Sequence, residues 1–390
     1  MKLNFSTPVL LLGGKENALS ITRHLGRLGV LMRVSGPGNC WALHSRYCAE
    51  ALPVPKGMSA NDYWKSLLLG NDGRLNGHII WALSDEAIEF ISAHHNSLSA
   101  RYVLDEADGD LQRDFLDKTR TLELAARAGI DAPGYWRIEK GQDLDKLRGQ
   151  ITFPVMVRPT QSHKFTRIFG RKLFIIENNF DELKAHVQKA WDHDIEVFVG
   201  EMIPGPDSLL SSYYTYRTKS GQRLFDFTKS VIRRWPVNRG NACYHKSGWL
   251  PETAEAGRRF FESAGLRGLG NIEFKRDLRD SKLKIIEVNA RFTAAQELVR
   301  RAGVPIDLMI YCHLTKQPVP EPEPVECELR LWYPFRDFLG FLELRKRGEL
   351  SFLGWLKSVT QPGMVFPLAA LSDPLPMLGA ALALAHRLAA

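Results

Sequence analysis

Two short segments decide the fold of this chain: GNIEFKRD at residues 270–277 and IIEVNARF at residues 285–292. In both segments apolar residues flank the acidic ones, and a charged stretch lies between the segments. Runs of this kind, bounded by turn-forming residues, are typical of β-strands. The two segments therefore predict an antiparallel β-hairpin with polar side chains along one face.

Three oxygen-bearing side chains on this hairpin form a candidate metal site. Side chains at every second position of a strand share a face, so Glu287, Asn289 and Arg291 point the same way. If Glu273 has this orientation on the neighbouring strand, its carboxylate joins two further oxygen ligands, which suits Mg²⁺. Arg291 would then face an anion held by that metal. A solvated strand face is the alternative, but the apolar neighbours favour a cleft.

The composition indicates a globular protein with two or three domains. The chain has 390 residues, of which 44% are hydrophobic. Its net charge is +8, and residues 151–250 hold 15 Lys and Arg against 9 Asp and Glu. Local positive charge suits a triphosphate as well as a nucleic acid. Since the sequence has no Lys/Arg-rich block, zinc-ligand spacing or basic helix, we expect no nucleic acid partner.

The cysteines and the N-terminus predict the compartment. Five scattered cysteines without a C-x-x-C pair are typical of reduced thiols in a cytoplasm. The N-terminal apolar stretch is too short for a signal peptide, and no apolar run reaches the length of about 18 residues that a membrane span needs. We therefore expect a soluble, cytoplasmic protein.

Strand and helix signals alternate along the N-terminal part. The segment PVLLLGG predicts a strand and a glycine turn before a helix and a second strand, and HIIWALSDEAIEFI joins a strand to a helix through Ser84 and Asp85. This alternation implies a parallel sheet with right-handed crossovers. Gly13 and Gly14 do not complete the G-x-G-x-x-G pattern of dinucleotide sites. The helix N-terminus after them still suits a carboxylate or phosphate.

Further elements and a linker follow. The linker KQPVPEPEPVE at residues 316–326 holds four prolines and precedes a C-terminal extension. The predicted elements before it are a helix over 116–128, two strands joined by a polar, basic loop within 153–176, a helix over Phe180–Trp191, a strand beginning near 196, long strands around 211–218 and 223–231, and a helix over 251–264.

The C-terminal extension ends in DPLPMLGAALALAHRLAA, which predicts a helix that covers the core. A helix on a membrane surface is the alternative. Phe352 and Trp355 supply apolar side chains for that role, and Arg345, Lys346 and Arg347 supply positive charge.

Five separated motifs follow one another along the chain: D-K-T-R-T-L-E-L with Lys118, F-P-V-M-V-R-P with Arg158, VFVGEMIPGPDS at residues 197–208, DFTKSVIRRWP with Lys229, and E-x-N-x-R at residues 287–291. In this order the chain resembles the ATP-grasp superfamily over about residues 116–302. Within the superfamily it looks most like the carboxylate–amine ligases of the D-aspartate ligase type.

The resemblance implies that cationic side chains bind the phosphates of ATP. Lys118 corresponds to a family lysine at the start of a helix. Arg158 stands where the family has a second lysine, and it keeps the charge while presenting a planar fork. Lys229 resembles a basic residue that faces the γ-phosphate. Lys164 lies in the phosphate-covering loop, which here is poor in glycine and also contains Arg167, Arg171 and Lys172.

The resemblance also assigns the adenosine contacts. Glu201 would accept a hydrogen bond from the adenine amino group, while the backbone of Met202 and Ile203 pairs with the ring. Asp207 would contact the ribose. A plain turn aspartate is the alternative for Asp207.

The remaining assignments concern the metal and the reacting groups. Arg291 would face the reacting carboxylate or phosphoryl group. Arg233 and Arg234 would hold the acceptor carboxylate or its acyl phosphate. The ligands of Mg²⁺ or Mn²⁺ would be Glu273, Glu287 and Asn289.

The resemblance predicts an ATP- and Mg²⁺-dependent ligase that activates a carboxylate as an acyl phosphate and joins it to an amine, forming ADP. An ATP-grasp carboxylase or kinase and a catalytically inactive nucleotide-binding module are the alternatives. The expected partners are small-molecule carboxylates and amines. A homodimer and a peripheral membrane contact remain open.

The expected fold class is α/β, with α+β character in the ATP-grasp part. A Rossmann-like parallel sheet over residues 1–112 precedes a two-lobed ATP-grasp domain over 113–316. The Pro-rich linker and a mainly helical extension occupy 317–390.

Overall fold

The structure is a computed structural model that describes residues 3–160 and 162–377; for residues 162–164 it describes the backbone alone. None of the helices in these ranges is long and apolar enough to cross a membrane. The helix expected near the C-terminus falls largely on residues 378–390, outside the described residues.

The N-terminal part folds as a parallel sheet with the strand order β3-β2-β1-β4-β5. This confirms the predicted Rossmann-like arrangement. Its strands are β1 (Val9–Leu12), β2 (Met32–Gly36), β3 (Cys48–Pro53), β4 (Ile79–Ala82) and β5 (Val103–Leu104), and its helices are α1 (Glu16–Arg27), α2 (Ala60–Leu69), α3 (Asp85–Ala93) and α4 (His95–Ser99).

The strand order reverses between β1 and β4, and loops at such a point form a crevice that binds ligands in open α/β sheets. Gly13 follows β1 with a φ of +74°, and a Cβ there would lie 2.4 Å from Oγ of Ser84. The glycine therefore lets the loops after β1 and β4 touch. Ser84 caps α3 by accepting from the Ala87 N–H.

Two helices join this sheet to the rest of the chain: α5 (Gly109–Leu116) and α6 (Lys118–Arg127). The sequence predicted one helix from residue 116, but Asp117 interrupts it with an extended backbone. Its carboxylate accepts from the Thr119 N–H at 2.8 Å, which caps α6. Lys118 is thus the first residue of a helix, as expected. Helix α5 runs across the predicted domain boundary at 112–113.

A small sheet with the order β6-β9-β7-β8 forms one lobe of the central part. The predicted loop between β7 and β8 was wrong in one respect, because a helix occupies most of it. The elements of this lobe are β6 (Tyr135–Arg137), β7 (Val155–Pro159), α7 (Ser162–Phe169), β8 (Phe174–Ile176), α8 (Phe180–Trp191) and β9 (Val197–Glu201).

The other lobe is a seven-stranded sheet with the order β14-β13-β10-β11-β12-β15-β16. The predicted hairpin is confirmed as β13 and β14, which pair antiparallel. The elements before the linker are β10 (Leu210–Arg217), β11 (Arg223–Trp235), β12 (Asn241–Ser247), α9 (Pro251–Ser263), β13 (Gly268–Arg276), β14 (Leu283–Asn289), α10 (Gln296–Arg301) and α11 (Ile306–Leu314).

The C-terminal extension is built into this large sheet rather than being only helical. Strand β15 pairs with β12 and β16 pairs with β15, so two short strands after the linker extend the sheet. The elements are β15 (Arg330–Trp332), α12 (Pro334–Lys346), α13 (Phe352–Val359) and β16 (Met364–Val365).

A shared hydrophobic core fixes the N-terminal sheet against the large sheet. Leu11 and Trp81 from the first sheet belong to the same buried cluster as Phe227 and Phe292. The rings of Trp81 and Phe292 have centroids 5.2 Å apart. Strand β4 therefore lies beside the segment that follows β14.

Helix α9 packs on the other face of the large sheet through Gly257, where a Cβ would lie 2.3 Å from Cδ1 of Tyr213. We expect Gly257→Ala to lower the free energy of unfolding by about 1–3 kcal/mol because the helix must shift. Urea unfolding would measure it. Gly149→Ala is the control, since a Cβ there meets no atom within 4 Å. Equal unfolding midpoints for the two variants would contradict this packing.

Candidate functional site

A row of polar side chains crosses one face of the large sheet. Opposite residues on neighbouring strands project to the same face. The row contains two carboxylates, two hydroxyls and one ammonium group. Taken strand by strand from β14 to β12, the paired residues that form the row are Glu287, Glu273, Ser212, Lys229 and Ser247.

The predicted juxtaposition of Glu273 and Glu287 is confirmed by the register. Burial raises the pKa of Glu273; Lys229 opposes this rise and Glu287 adds to it. Burial alone would also raise the pKa of Glu287, but nearby cations, foremost Lys172 and Lys118, hold this pKa below its usual value. Two adjacent carboxylates in such a place are stabilised by a cation between them.

Asn289 supplies a third oxygen beside this pair. It lies opposite Asn271, and its amide nitrogen donates to Oδ1 of Asn271 at 3.3 Å. That bond leaves the Asn289 carbonyl oxygen for a cation. Within residues 3–160 and 162–377, no group of three or more His, Cys, Asp or Glu side chains is placed to hold a metal. Two carboxylates and one amide still fit Mg²⁺ or Mn²⁺, which prefer oxygen ligands.

Lys229 is the cation within the row. It is buried, and its Nζ donates to Oγ of Ser212 at 2.9 Å. Burial lowers the pKa of Lys229, while Glu273 and Glu287 oppose this change. A buried ammonium with one hydroxyl partner keeps donors for an anion.

Lys118 and Arg158 lie near Glu287 from outside the large sheet. Burial, followed by the charge of Arg158, lowers the pKa of Lys118 to about 8, and Glu287 opposes the change. Arg158 is buried, with its guanidinium 5.8 Å from the centroid of the Phe198 ring. Burial lowers the pKa of Arg158, which Glu287 again opposes. The structure thus brings two of the predicted phosphate cations, Lys118 and Arg158, near the candidate metal site.

The segment after β7 places a further cation across the cleft. Lys172 donates to Oδ1 of Asn241, at the start of β12, at 2.8 Å. This bond joins the small lobe to the large lobe. Arg167 lies 3.9 Å from Glu86 of α3. The predicted phosphate contact of Lys164 lies outside the described residues, because its side chain is not among them.

The segment after β9 is held by protein partners. The Glu201 carboxylate accepts from the Gly134 N–H at 2.9 Å and pairs with Arg279. The Met202 N–H donates to Pro154 at 3.2 Å. The Ile203 carbonyl accepts from Lys275, whose pKa burial lowers to about 8. The adenine contacts of Glu201, Met202 and Ile203 stay predictions.

Comparisons with known proteins find partial similarity in sequence and similarity in fold. No protein-family model matches the chain. The chain is 24% identical over 183 residues to the vancomycin/teicoplanin A-type resistance protein VanA of Enterococcus faecium, covering 42% of this chain and 48% of that protein. It is also 24% identical over 183 residues to D-alanine–D-alanine ligase B of Chromobacterium violaceum, covering 45% and 56%. The chain thus matches about half the length of these relatives.

Solved structures resemble the chain over most of its length. L-amino acid ligase from Bacillus licheniformis has a TM-score of 0.60 at 14% identity, covering 84% of this chain and 80% of that one. N5-carboxyaminoimidazole synthetase from Staphylococcus aureus, in complex with ADP, has a TM-score of 0.62 at 15% identity, covering 84% and 82%. Biotin carboxylase from Campylobacter jejuni has a TM-score of 0.63 at 15% identity, covering 82% and 74%.

The chain has the ATP-grasp fold. The two lobes of this ATP-grasp structure correspond to the sheet β6-β9-β7-β8 and the larger sheet, and the polar row lies on the latter. The predicted fold class is therefore confirmed.

The prediction that Arg233 faces the cleft is wrong. A bulge in β11 leaves Ile232 unpaired, which turns the following side chains to the opposite faces. Arg233 donates to both carboxylate oxygens of Asp337 in α12, at 2.7 and 3.0 Å, and the pair is buried. Arg234 instead lies close enough to Glu273 for its positive charge to oppose the rise in the pKa of that carboxyl. Of Arg233 and Arg234, it is therefore Arg234 that lies near the cleft.

Asp207 is buried and accepts a hydrogen bond from Arg234 at 2.5 Å and from the Asn238 N–H at 3.3 Å. Its carboxylate thus holds Arg234 in place. The ribose contact of Asp207 stays a prediction. It would be made by a carboxylate that already has two hydrogen-bond partners.

Arg291 connects the row to the N-terminal sheet. Its Nε donates to Oδ1 of Asp85 at 2.7 Å. Burial would raise the pKa of Asp85, but the charge of Arg291 and its hydrogen bond lower it. Asp85 is the first residue of α3, after the Ser84 cap. The N-terminal sheet thus contributes an acidic side chain to the ATP-grasp cleft.

Several residues of the site were not identified from the sequence. Ser212 carries no local signal, because its place depends on the pairing of β10 with β11 and β13. Asn271 was detectable: it precedes Glu273 by two positions and so shares its face. Lys275 was detectable in the same way, because it follows Glu273 by two positions on β13, which pairs regularly with β10; the unpaired residue of the hairpin bulge is Ile286 on β14.

The structure gives Arg233 a structural role. We expect Arg233→Met to lower the free energy of unfolding by about 3–5 kcal/mol, because it leaves the Asp337 carboxylate buried without its cation. Urea unfolding would measure this. The double variant Arg233→Met/Asp337→Asn should recover stability, since the introduced amide carries no charge and can still accept from Trp355, as the Asp337 carboxylate does at 2.9 Å. A single variant as stable as the unaltered protein would contradict this role.

Proposed function

We propose that this protein is an ATP- and Mg²⁺-dependent ligase that joins a carboxylate to an amine with formation of ADP. The polar row is the observation that carries the proposal, because it sets a pair of carboxylates beside a buried ammonium. Lys118 and Arg158 add positive charge near Glu287. Such a site can hold a metal-bound triphosphate between cations.

Each side chain has a role in this chemistry. Mg²⁺, when bound, would supply positive charge at the phosphates from ligands Glu273, Glu287 and Asn289. The phosphate oxygens would be held by Lys118, Arg158 and Lys229, which orients the γ-phosphoryl group toward the substrate carboxylate. That carboxylate becomes an acyl phosphate, and the amine then displaces phosphate. Arg291 would stabilise the anion that develops at the acyl carbon.

The names of two similar proteins support ligation: D-alanine–D-alanine ligase B and L-amino acid ligase. Within this chemistry we place the chain near the ligases of the D-aspartate ligase type. We also propose the division into residues 1–112, 113–316 and 317–390. The five cysteines form no disulfide, which supports a cytoplasmic location.

Release of ADP and phosphate tests the proposal. The purified protein is incubated with ATP, Mg²⁺ and a panel of carboxylates and amines. We expect amide formation and stoichiometric ADP only when both an acid and an amine are present. Turnover that needs bicarbonate would favour a carboxylase, and transfer of phosphate to an alcohol would favour a kinase. Nucleotide binding without turnover on any pair would contradict ligation.

Glu287→Gln tests the metal site. The substitution removes the charge that faces Lys118, Arg158 and the metal, so we expect ADP formation to fall by about 10²–10³-fold or more. Circular dichroism should show an unchanged fold. Glu255→Gln is the control, because Glu255 is exposed on α9, and it should keep full activity. A Glu287→Gln variant with normal Mg²⁺-dependent turnover would rule out Glu287 as a ligand.

The C-terminal extension presents an apolar surface on α12 and α13. No residue of α13 is buried, although most of its residues are apolar; Leu353 is 75% exposed. The rings of Phe338 and Phe352 contact Trp355, which joins the exposed sides of both helices. The exposed residues of this apolar surface are Phe335, Phe338, Leu342, Phe352, Leu353 and Leu356.

We propose that an anionic lipid surface covers this apolar surface. The exposed cations beside it are Arg345, Lys346, Arg347 and Lys357. Aromatic and leucine side chains flanked by Lys and Arg are typical of helices that lie in a membrane interface. Negative headgroups would complement these cations.

Vesicle sedimentation tests the contact. We expect the protein to sediment with vesicles of phosphatidylcholine and phosphatidylserine, and less with phosphatidylcholine alone. Leu353→Asp should weaken this binding because it places a charge in the apolar surface. Leu31→Asp is the control at an exposed leucine of the N-terminal part. Absence of vesicle binding, or a dimer in sedimentation equilibrium that Leu353→Asp dissociates, would contradict the lipid proposal; the second result would assign the surface to a second copy.

A further inference from the structure

His245 is a buried histidine on the same face of the large sheet as the polar row. It lies opposite Val231, while Lys229, two residues earlier, lies opposite Ser247. His245 and Lys229 are therefore diagonal neighbours on one face. The charge of Lys229 accordingly reaches the imidazole. His245 is thus next to the predicted phosphate site but outside the candidate metal ligands.

Neither ring nitrogen of His245 makes a hydrogen bond of normal geometry within the described residues, although the Ala242 backbone lies close enough to oppose the lowering of its pKa, and the side chain is only 4% exposed. Burial, with the charges of Lys229 in β11 and Arg336 in α12, lowers the pKa of His245 well below its usual value. The ring is therefore neutral near pH 7, with one N–H donor and one basic nitrogen. Unsatisfied polar groups are costly in a protein interior, so such a pair calls for a ligand.

Gln296 is a second buried polar side chain without partners. It begins α10, is 1% exposed, and neither its amide nitrogen nor its amide oxygen has a partner within the described residues. Helix α10 covers the face that carries His245, because Leu331, opposite His245 on β15, packs with Ala295 and Leu298. His245 and the first residue of α10 therefore lie on facing elements, and each has unused hydrogen-bonding capacity.

We propose that His245 and Gln296 form the site for the attacking amine, with His245 as the acceptor of its proton. This inference rests on the proposed function. The substrate class is a primary amine that reacts in its neutral form: its N–H group can donate to the basic nitrogen of the ring, and the nearby cations Lys229 and Arg336 disfavour the ammonium form. Gln296 binds the neighbouring polar group of the same molecule.

The proposed transfer forms one C–N bond and breaks one C–O bond. The lone pair of the amine forms the C–N bond to the acyl phosphate carbon, and the nitrogen gives one proton to the imidazole. The C–O bond to phosphate breaks, and the phosphate leaves with that electron pair and takes the proton from the imidazolium. The products are a secondary amide and hydrogen phosphate, and the imidazole is neutral again.

Hydroxylamine separates this step from carboxylate activation. Hydroxylamine is largely unprotonated at neutral pH, so it traps an acyl phosphate as a hydroxamate without needing a base. For His245→Asn we expect hydroxamate formation within about twofold of the unaltered protein. Amide formation from the primary amine substrate should fall by about 10²-fold or more, the typical effect of losing a general base. Gln296→Leu should raise KM for the amine and leave hydroxamate formation intact.

Controls keep the result decisive. His44→Asn replaces an exposed histidine and should change neither product. If His245→Asn does not fold, His245→Gln makes the same test, and the ¹⁵N signal of His245 in the unaltered protein should shift when the amine is added. Equal losses of hydroxamate and amide, or unchanged amide formation, would overturn the assignment. No hydroxamate or ADP from any acid with the unaltered protein would instead reject the proposed ligase function.

Discussion

The pairing of Glu273 with Glu287 is the constraint on which the rest of the site depends. Opposite residues on antiparallel strands have Cβ atoms about 5 Å apart, and two unit charges at that distance repel by about 3 kcal/mol at an effective dielectric constant of about 20. Burial adds to this cost. Cations from four different segments offset this repulsion: Lys118, Arg158, Lys172 and Lys229. Such a balance leaves room for a metal and a polyphosphate.

Strand irregularities decide which side chains reach the site. The bulge in β11 sends Arg233 to the buried pair with Asp337 and leaves Arg234 near the cleft. Asp207 then holds Arg234. The C-terminal extension provides Asp337 and two strands of the large sheet, so it stabilises the strand that carries Lys229. The extension is thus part of the architecture of the site.

Much of this could be predicted from the sequence because period-two patterns are local. The hairpin, the shared face of Glu287 and Asn289 and the parallel N-terminal sheet follow from spacing signals, whereas the position of Lys118 was implied by the family resemblance. What could not be predicted depends on long-range pairing. The register that sets Ser212 beside Lys229 and the contact between Asp85 and Arg291 join distant segments. A bulge adds one residue without a local signal, which explains the error at Arg233.

Calorimetry of nucleotide binding tests the central claim most directly, since the cations around Glu273 and Glu287 are proposed to hold a metal-bound triphosphate between two lobes. A non-hydrolysable ATP analogue is titrated into the purified protein with and without Mg²⁺. The account predicts saturable binding at one site that strengthens strongly when Mg²⁺ is present. Absence of binding heat under both conditions at several temperatures, or binding that Mg²⁺ does not change, would contradict it.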